Sequence, residues 1–279
     1  MEGHETFLGN PLFLTKNRSK DFKFLKDKVY GRLDGWKCKL LSKTGRTSLV
    51  KAVVQGIPAY SMATFRLPLS LCEELDSPAR KFWWTDSLDK RHYLCLTASD
   101  SICQPKARGG LGIRRFKDIN AAFLAKLGWM MASDSSKFWV SILKARYCRE
   151  SNFWTATLPK TASVVARMIW STRDFIREGS VYLIGNGDAV DIWNSPLVPW
   201  FNMEQTRAAF NPLSQAKNVK LSLLIDEREK NWKVDQLERW FQPSEIGLIR
   251  SIPIMPTPAT DRLIWKGTKS GSFSIKSAY

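Results

Sequence analysis

The sequence predicts a mainly α-helical protein (α+β) that carries small antiparallel β-hairpins. Apolar residues recur at helical spacing through most of residues 16–178. Beyond that point, Asn-Gly and Ser-Gly pairs separate short runs of strand-forming residues, as they do in hairpins. We therefore expect a helical bundle up to about residue 178, followed by a mixed hairpin region.

The N-terminal part begins with a strand and continues with two helices. Residues 7–11 are typical of a short strand that ends in a turn. A helix is predicted from Asp21, because an apolar stripe at helical spacing follows it. The stripe consists of Phe22, Leu25, Val29, Leu33 and Trp36. Ser42 or Thr44 caps the next predicted helix, which Pro58 stops.

A proline lies inside the following apolar run. Residues 69–84 have helical spacing, but Pro78 lacks the N–H group that a helix interior needs. Either the helix breaks there, or Ser77 caps a new helix that has Pro78 in its first turn. We favour the second alternative.

Two more helices are predicted before the period changes. The first spans residues 137–146 and turns Phe138 and Ile142 inward, with Leu143 as a further candidate for the inward face. The second spans residues 163–178, with Ser163 as its N-cap.

A basic, glycine-rich segment precedes the most apolar of the predicted helices. Pro105 and the glycines at 109, 110 and 112 exclude regular structure there. Its basic residues are Lys106, Arg108, Arg114 and Arg115. The order of the glycines matches neither of the common nucleotide-binding motifs, which argues against a nucleotide-cofactor site. A tight connector and a contact with a nucleic-acid backbone both remain open.

Two hairpins are predicted in the C-terminal part. The first joins residues 181–184 to residues 189–193 around the Asn-Gly pair. The second joins residues 262–266 to residues 272–276 around the Ser-Gly pair. Prolines make residues 195–220 irregular, so a boundary is expected there.

The charge of the chain is strongly positive and uneven. Lys and Arg number 43 against 26 Asp and Glu, which gives a net charge of +17. Residues 1–150 carry +13 of it and residues 151–279 carry +4. Such a field attracts polyanions, and nucleic acid is the usual partner. A membrane is not expected as a partner, because no apolar run of 18 residues exists.

The remaining composition excludes several other classes. The N-terminus lacks the apolar region of a secretory signal, so an intracellular protein is expected. Five cysteines without C-x-x-C spacing, and only two histidines, argue against a disulfide framework and against a metal site. No Asp-Asp pair exists, and the nearby Asp188 and Asp191 are explained by a turn and a strand. No catalytic residue is therefore predicted in this chain.

Eight short motifs occur in a fixed order along nearly the whole chain. They are Phe7-Leu8-Gly9-x-Pro11; Gly35-Trp36-Lys37-x-Lys39-Leu40-Leu41-Ser42-x-x-Gly45-Arg46; Ile57-Pro58-x-Tyr60-x-Met62; Phe82-Trp83-Trp84; Pro105-Lys106-x-x-Gly109-Gly110-Leu111-Gly112; Asn120-x-Ala122-x-Leu124-Ala125-Lys126; Ile184-Gly185-Asn186-Gly187; and Gly271-x-Phe273-Ser274-Ile275-Lys276-Ser277-Ala278-Tyr279. With these motifs the chain resembles the plant non-LTR (LINE-type) retrotransposon reverse transcriptase polyprotein, in the region after the polymerase palm.

The resemblance implies a division of the chain into four parts. Residues 1–15 correspond to a primer-grip-like strand, and residues 16–178 to a basic helical thumb or connector. Residues 179–260 correspond to a β-hairpin and irregular connector. Residues 261–279 resemble the truncated start of the zinc-binding reverse transcriptase domain. The primer-grip-like residues are Phe7, Leu8 and Gly9.

By the same resemblance, the parent polyprotein is an RNA-directed DNA polymerase whose catalytic aspartates lie outside this chain. Mg²⁺ and Zn²⁺ are expected only in the missing parts of that polyprotein, so no cofactor is expected here. The implied partners are the template–primer duplex of RNA or DNA and the remainder of the polyprotein. The implied location is the nucleus.

The leading hypothesis is a non-catalytic fragment that binds template–primer nucleic acid through phosphate contacts. The predicted binding residues are Lys37, Lys39, Lys43, Arg46, Lys51, Lys106, Arg108, Arg114 and Arg115. The alternatives are a retroelement-derived helical scaffold that binds proteins and a decayed relic without activity. Scattered or acid-paired basic side chains would favour the scaffold.

Overall fold

The structure is a computed structural model of the 279-residue chain. It describes residues 6–11, 14–36, 41–85, 87–89, 94–95, 97–198, 201, 203–212, 219–226, 228–256 and 259–279. The chain forms two compact units: unit 1 is residues 1–124 together with Tyr279, and unit 2 is residues 125–278.

The described residues of unit 1 form helices and one small strand pair. Its helices are α1 (Arg18–Asp21), α2 (Lys23–Asp34), α3 (Lys43–Ala52), α4 (Ala59–Thr64), α5 (Leu69–Thr85), α6 (Ser99–Cys103) and the first half of α7 (Phe116–Ala132). Short 3₁₀ turns occupy Val54–Gly56 and Lys106–Arg108. The strands β1 (Thr6–Phe7) and β2 (Asn10–Pro11) pair antiparallel.

The core of unit 1 confirms the apolar stripe predicted for α2. Phe22, Leu25, Val29 and Leu33 are buried in one apolar cluster with side chains of α3 and α5. Trp36 is half-buried, with its ring centroid 5.8 Å from that of Phe82. Burying each large apolar side chain contributes about 1.5–3 kcal/mol, which outweighs the cost of about 1 kcal/mol for Gly31 in the helix interior.

The predicted cap of α3 is confirmed, whereas the helix start predicted at Ser77 is wrong. Ser42 Oγ accepts a hydrogen bond from the N–H of Gly45 at 3.1 Å. Helix α5 runs without interruption through Pro78. A proline there removes one helical hydrogen bond, at a cost of about 3 kcal/mol. Leu75 and Phe82, fully buried one turn before and one turn after the proline, offset that cost and keep the helix continuous.

A buried asparagine fixes the connection between α4 and α5. Asn120, on α7, donates hydrogen bonds to the carbonyls of Met62 and Phe65 and accepts one from the N–H of Leu67, all at 2.8–2.9 Å. The amide thus provides hydrogen-bond partners for three backbone groups at the end of α4 and in the connection to α5.

Unit 2 combines helices with two further strand pairs. Its helices are the second half of α7, α8 (Phe138–Tyr147), α9 (Val164–Trp170), α10 (Arg173–Gly179), α11 (Met203–Ala208), α12 (Val234–Trp240), α13 (Pro243–Arg250) and α14 (Ile275–Ala278). Its strands are β3 (Ser180–Leu183), β4 (Ile225–Asp226), β5 (Asn231–Trp232) and β6 (Arg262–Trp265). A 3₁₀ turn at Leu221–Leu224 precedes β4. The predicted class, mainly α with small antiparallel strand pairs, is confirmed.

The strand partners differ from the two predicted hairpins. Strand β3 pairs antiparallel with β6, and residues 275–278 form α14 instead of a strand. The physical reason is the carboxylate of Asp261. It accepts hydrogen bonds from the N–H groups of Gly185, Gly187 and Ala189 at 2.8–2.9 Å, so the Asn-Gly segment forms a loop around that side chain. The tight hairpin turn predicted at the Asn-Gly pair is therefore replaced by a loop that is held by Asp261, more than 70 residues further along the chain.

Helix α8 presents a different face from the predicted one. Phe138 and Ile142 are 80% and 49% exposed, whereas Val140 is buried and Leu143 and Tyr147 pack against the core. Positions 140, 143 and 147 also have helical spacing, and the helix turns that stripe inward. The expectation that Phe138 and Ile142 point inward is therefore wrong.

The helix predicted over residues 163–178 is divided into α9 and α10. Its cap is confirmed, since Ser163 Oγ accepts the N–H of Ala166 at 3.1 Å. The division lies at Ser171 and Thr172, whose hydroxyls donate to carbonyls three residues back, at 2.7 Å each. Such hydroxyl contacts compete with the helical backbone pattern. Gly128 of α7 lies directly against this division, because a Cβ at that position would collide with Thr172 Oγ1.

Candidate nucleic-acid interface

The glycine-rich segment of unit 1 is a tight connector. Gly109 and Gly112 have positive φ angles of 80° and 65°, which favour glycine. A Cβ on Gly110 would lie 2.0 Å from the carbonyl oxygen of Gln104. The N–H groups of Gly110, Leu111 and Gly112 donate to carbonyls of residues 102–105, at the end of α6 and just after it, at 2.9–3.2 Å. These N–H groups are therefore engaged and do not form a phosphate cradle.

The connector brings its own basic side chains, Lys106 and Arg114, close to Lys51 of α3. Lys51, on α3, donates from Nζ to the carbonyl of Leu111 at 3.1 Å. Burial lowers the pKa of Lys51, and the nearby charges of Lys106 and Arg114 lower it further. The carbonyl of Arg114 is held in turn by Nε2 of Gln55 at 2.5 Å. We call Lys51, Lys106 and Arg114 the cation cluster.

Two aromatic contacts extend this basic surface. The Arg114 guanidinium lies 4.8 Å from the ring centroid of Tyr279, whose hydroxyl accepts the N–H of Arg115 at 3.3 Å. Lys43 Nζ lies 5.8 Å and 5.4 Å from the rings of Trp83 and Trp84. These contacts orient the cations by cation–π attraction. Sequence reasoning assigned no role to Tyr279, because its partner lies 165 residues earlier in the chain.

The other predicted residues have diverse surroundings. Lys106 and Arg108 are exposed, while Arg46 is only 8% exposed. Within the part of the chain that the structure describes, Arg46 Nε has no hydrogen-bond partner. Lys37 and Lys39 lie outside the described residues. Thus the structure brings together only part of the predicted set.

Of the primer-grip-like residues, Phe7 ends strand β1, and Leu8 and Gly9 form the turn to β2. Phe7 and Leu8 are 65% and 70% exposed, and both Leu8 and Gly9 have positive φ. The turn is held from inside, because the Asn10 side chain accepts a hydrogen bond from the Ser61 hydroxyl at 2.5 Å. Two large apolar side chains are therefore presented to solvent on an anchored turn.

A pocket of about 230 Å³ opens beside the cation cluster in unit 1. Helix α5, the end of α6 and the segment before α7 enclose it. We call it the Asp76 pocket. Asp76 Oδ1 accepts the N–H of Phe116, the first residue of α7, at 3.1 Å. Burial raises the pKa of Asp76 to about 6, although that hydrogen bond and the charges of Arg80 and Arg115 counteract the rise. Asp76 stands within an ordinary amphipathic helix sequence, so no local signal marked it.

The structure shows neither a metal site nor a membrane span among the residues it describes. No group of three or more His, Cys, Asp or Glu side chains there could hold a metal ion. Asp191 instead accepts the N–H groups of Trp193 and Asn194 in a turn. None of the described helices has the length and apolar content needed to cross a membrane.

Two plant proteins are similar to the chain. The Putative ribonuclease H protein At1g65750 of Arabidopsis thaliana is 29% identical over 272 residues, which cover 95% of this chain and 43% of that protein. The Uncharacterized mitochondrial protein AtMg00310 of Arabidopsis thaliana is 30% identical over 138 residues, which cover 49% of this chain and 89% of that protein. The chain thus spans less than half the length of the first relative. No family model matches, and no solved structure does.

Proposed function

Because the chain belongs to the family of the mitochondrial protein AtMg00310 and is retrotransposon-related, we propose that it is a nucleic-acid-binding part of a LINE-type reverse transcriptase. In this proposal the chain is not catalytic by itself. It holds a template–primer duplex of RNA or DNA, and the polymerase aspartates with their Mg²⁺ belong to another part of a longer polyprotein. The zinc-binding domain would likewise bind its Zn²⁺ elsewhere, and the site of action would be the nucleus.

The observation that carries the proposal is the cation cluster. Three basic groups converge there, and the neighbouring charges that act on Lys51 are both positive. Like charges so close together repel one another, and a polyanion relieves the repulsion. Lys51 is anchored to the Leu111 carbonyl, so Lys106 and Arg114 are the groups expected to contact phosphates directly. Arg108, Arg115 and Lys43 are further residues that we propose to contact phosphates.

A salt series tests this proposal. The full chain is titrated with a short RNA–DNA hybrid duplex at increasing salt concentration, and the dissociation constant is measured by filter binding. Affinity should fall steeply with salt, because each phosphate contact releases counterions. The variant Lys106→Gln with Arg114→Gln should reduce the slope of log K against log salt by about 1.8, at about 0.9 per contact. A salt-independent affinity would refute the proposal.

A matched control separates the cluster from the overall charge. Lys160 and Lys269 are exposed residues of unit 2, and changing both to Gln removes the same charge. That variant should keep a slope close to that of the wild type. Equal losses from the two double variants would mean that the net charge, not the cluster, attracts the duplex.

One observation favours the protein-binding scaffold as a second candidate. Phe138 and Ile142 lie one turn apart on α8, and both are exposed. Adjacent exposed apolar side chains are typical of contact surfaces for another protein. Binding of the duplex with the expected salt slope would decide for the first proposal.

A further inference from the structure

The Asp76 pocket has the size and walls of a site for one small planar group. Its volume of about 230 Å³ is below the roughly 300–1,000 Å³ that accommodate drug-sized ligands. Trp83, Ile102 and Phe116 supply apolar walls. Such walls match the faces of an aromatic ring, and they exclude water from any polar group that enters with it.

Several polar side chains line the pocket, among them Gln55 and the exposed Glu73, and Asp76 is the half-buried carboxylate with spare hydrogen-bonding capacity. Asp76 accepts one hydrogen bond, from the N–H of Phe116, and the described residues donate no other hydrogen bond to it. An ionised carboxylate has two oxygens with about four acceptor sites. The pocket therefore suits a ligand edge that presents N–H donors. Because burial already disfavours the charge, a donor that reaches Asp76 is strongly favoured.

Basic side chains link the pocket to the proposed path of the phosphates. Arg114 belongs to the cation cluster and also lines the pocket. Arg80, Arg115 and Lys117 add positive charge to the lining. A nucleotide whose phosphate contacts Arg114 thus has its base next to the opening. A ligand that matches this pocket has an edge with N–H donors, a flat apolar body and an attached anionic group. A nucleotide has all three.

We propose that the Asp76 pocket receives one unpaired base of the bound nucleic acid and prefers guanine. The inference rests on the proposed function, because the phosphates must first bind along the cation cluster. Guanine presents adjacent N1–H and N2–H donors, which can meet both oxygens of Asp76. Uracil presents one N–H between two carbonyls, and these would face the carboxylate unfavourably. Unpaired bases are the usual targets of sequence-specific recognition in RNA.

The test compares overhangs on one duplex. The full chain is titrated with an RNA–DNA hybrid that carries a one-nucleotide 3′ overhang, which is guanine, uracil or an abasic residue, and with the same duplex with blunt ends. The guanine overhang should bind about tenfold more tightly than uracil, within the range known for bidentate base contacts. Base contacts release few counterions, so this ratio should persist at higher salt.

Two variants then test whether the preference for guanine depends on Asp76. Asp76→Asn should bring the guanine-to-uracil ratio close to one, whereas its blunt-duplex binding should be no weaker than that of the wild type, because the change removes a negative charge. Asp27→Asn, the same chemical change at an exposed position on α2, should preserve the ratio. If the wild type binds all three overhangs equally while blunt-duplex binding keeps its salt slope, the pocket inference is overturned and the proposed function stands. If no duplex binds at all, both are overturned. The wild-type comparison decides between these outcomes even if a variant fails to fold.

Discussion

Replacing Asp76 by asparagine should stabilise unit 1 at neutral pH. The carboxylate of Asp76 is half-buried on α5, and the charges of Arg80, Arg115 and Asp118 act on it. Burial raises its pKa to about 6, despite the N–H of Phe116 and the two arginines. Asparagine has the same shape, keeps an acceptor oxygen for Phe116 and carries no charge. It therefore removes the cost of burying the charge and keeps the hydrogen bond.

The pKa of Asp76 determines how large the gain in stability should be and over which pH range it should appear. A rise from 3.8 to about 6 corresponds to about 3 kcal/mol, at about 1.4 kcal/mol for each unit of pKa. The folded state binds this proton more tightly than the unfolded state, so the contribution of Asp76 to stability falls as the pH rises from about 4 to about 6. Above that window the destabilisation is fully present, and below it the destabilisation disappears. Asp76→Asn should thus gain about 2–3 kcal/mol at about pH 7.5 and nothing at about pH 4.

Urea unfolding of the full chain, wild type and variant, measures this difference across the pH range. Leu75→Ala, a cavity variant in the same core, marks which transition belongs to unit 1, because it should lower that transition by about 2–5 kcal/mol. Asp27→Asn serves as the exposed control and should change little. A variant that is no more stable than the wild type at neutral pH, or whose gain is the same at every pH, would refute the reasoning.

Three further predictions, made with four substitutions, test the packing. Gly110→Ala should destabilise unit 1 by at least about 2 kcal/mol, since its Cβ would collide with the Gln104 carbonyl, whereas Gly31→Ala, in open space within α2, should stabilise it by about 0.5–1 kcal/mol. Equal urea midpoints for the two would contradict this. Asn120→Ala leaves three buried backbone groups unpaired and should cost about 3 kcal/mol by the same assay; a loss below about 1 kcal/mol would mean that water replaces the amide. Asp261→Ala should speed amide hydrogen exchange in the loop that the carboxylate holds, and unchanged protection there would argue against its role.

The sequence predicts local features of the fold well. The stripe of α2 and the caps Ser42 and Ser163 follow from spacing and side-chain chemistry within a few residues, and all are confirmed. The strand pairing was predicted wrongly, because the partner of β3 is set by a carboxylate far along the chain. Helix α5 continues through Pro78 because the burial of Leu75 and Phe82 in the core outweighs the tendency of a proline to end a helix, and that burial also depends on distant parts of the chain.

For the candidate interface, charge alone predicts which segments are basic but not which side chains converge. Lys106 and Arg114 lie on the glycine-rich segment and Lys51 lies on α3, more than 50 residues earlier, and only the fold places Lys51 beside the other two. The Asp76 pocket had no signal in the sequence, because an aspartate on an amphipathic helix is usually a solvated residue. Its burial depends on how the segment before α7 crosses α5.

The pairing of β3 with β6 has a consequence for synthesis on the ribosome. About 80 residues separate the two strands, so β3 emerges long before its partner exists. Until then the nascent chain leaves one strand edge open, and such edges recruit other chains. Closing so long a segment is also slow compared with forming local helices. Unit 1, whose helices are complete much earlier, should therefore acquire its native core first, and unit 2 should be the region that needs a chaperone.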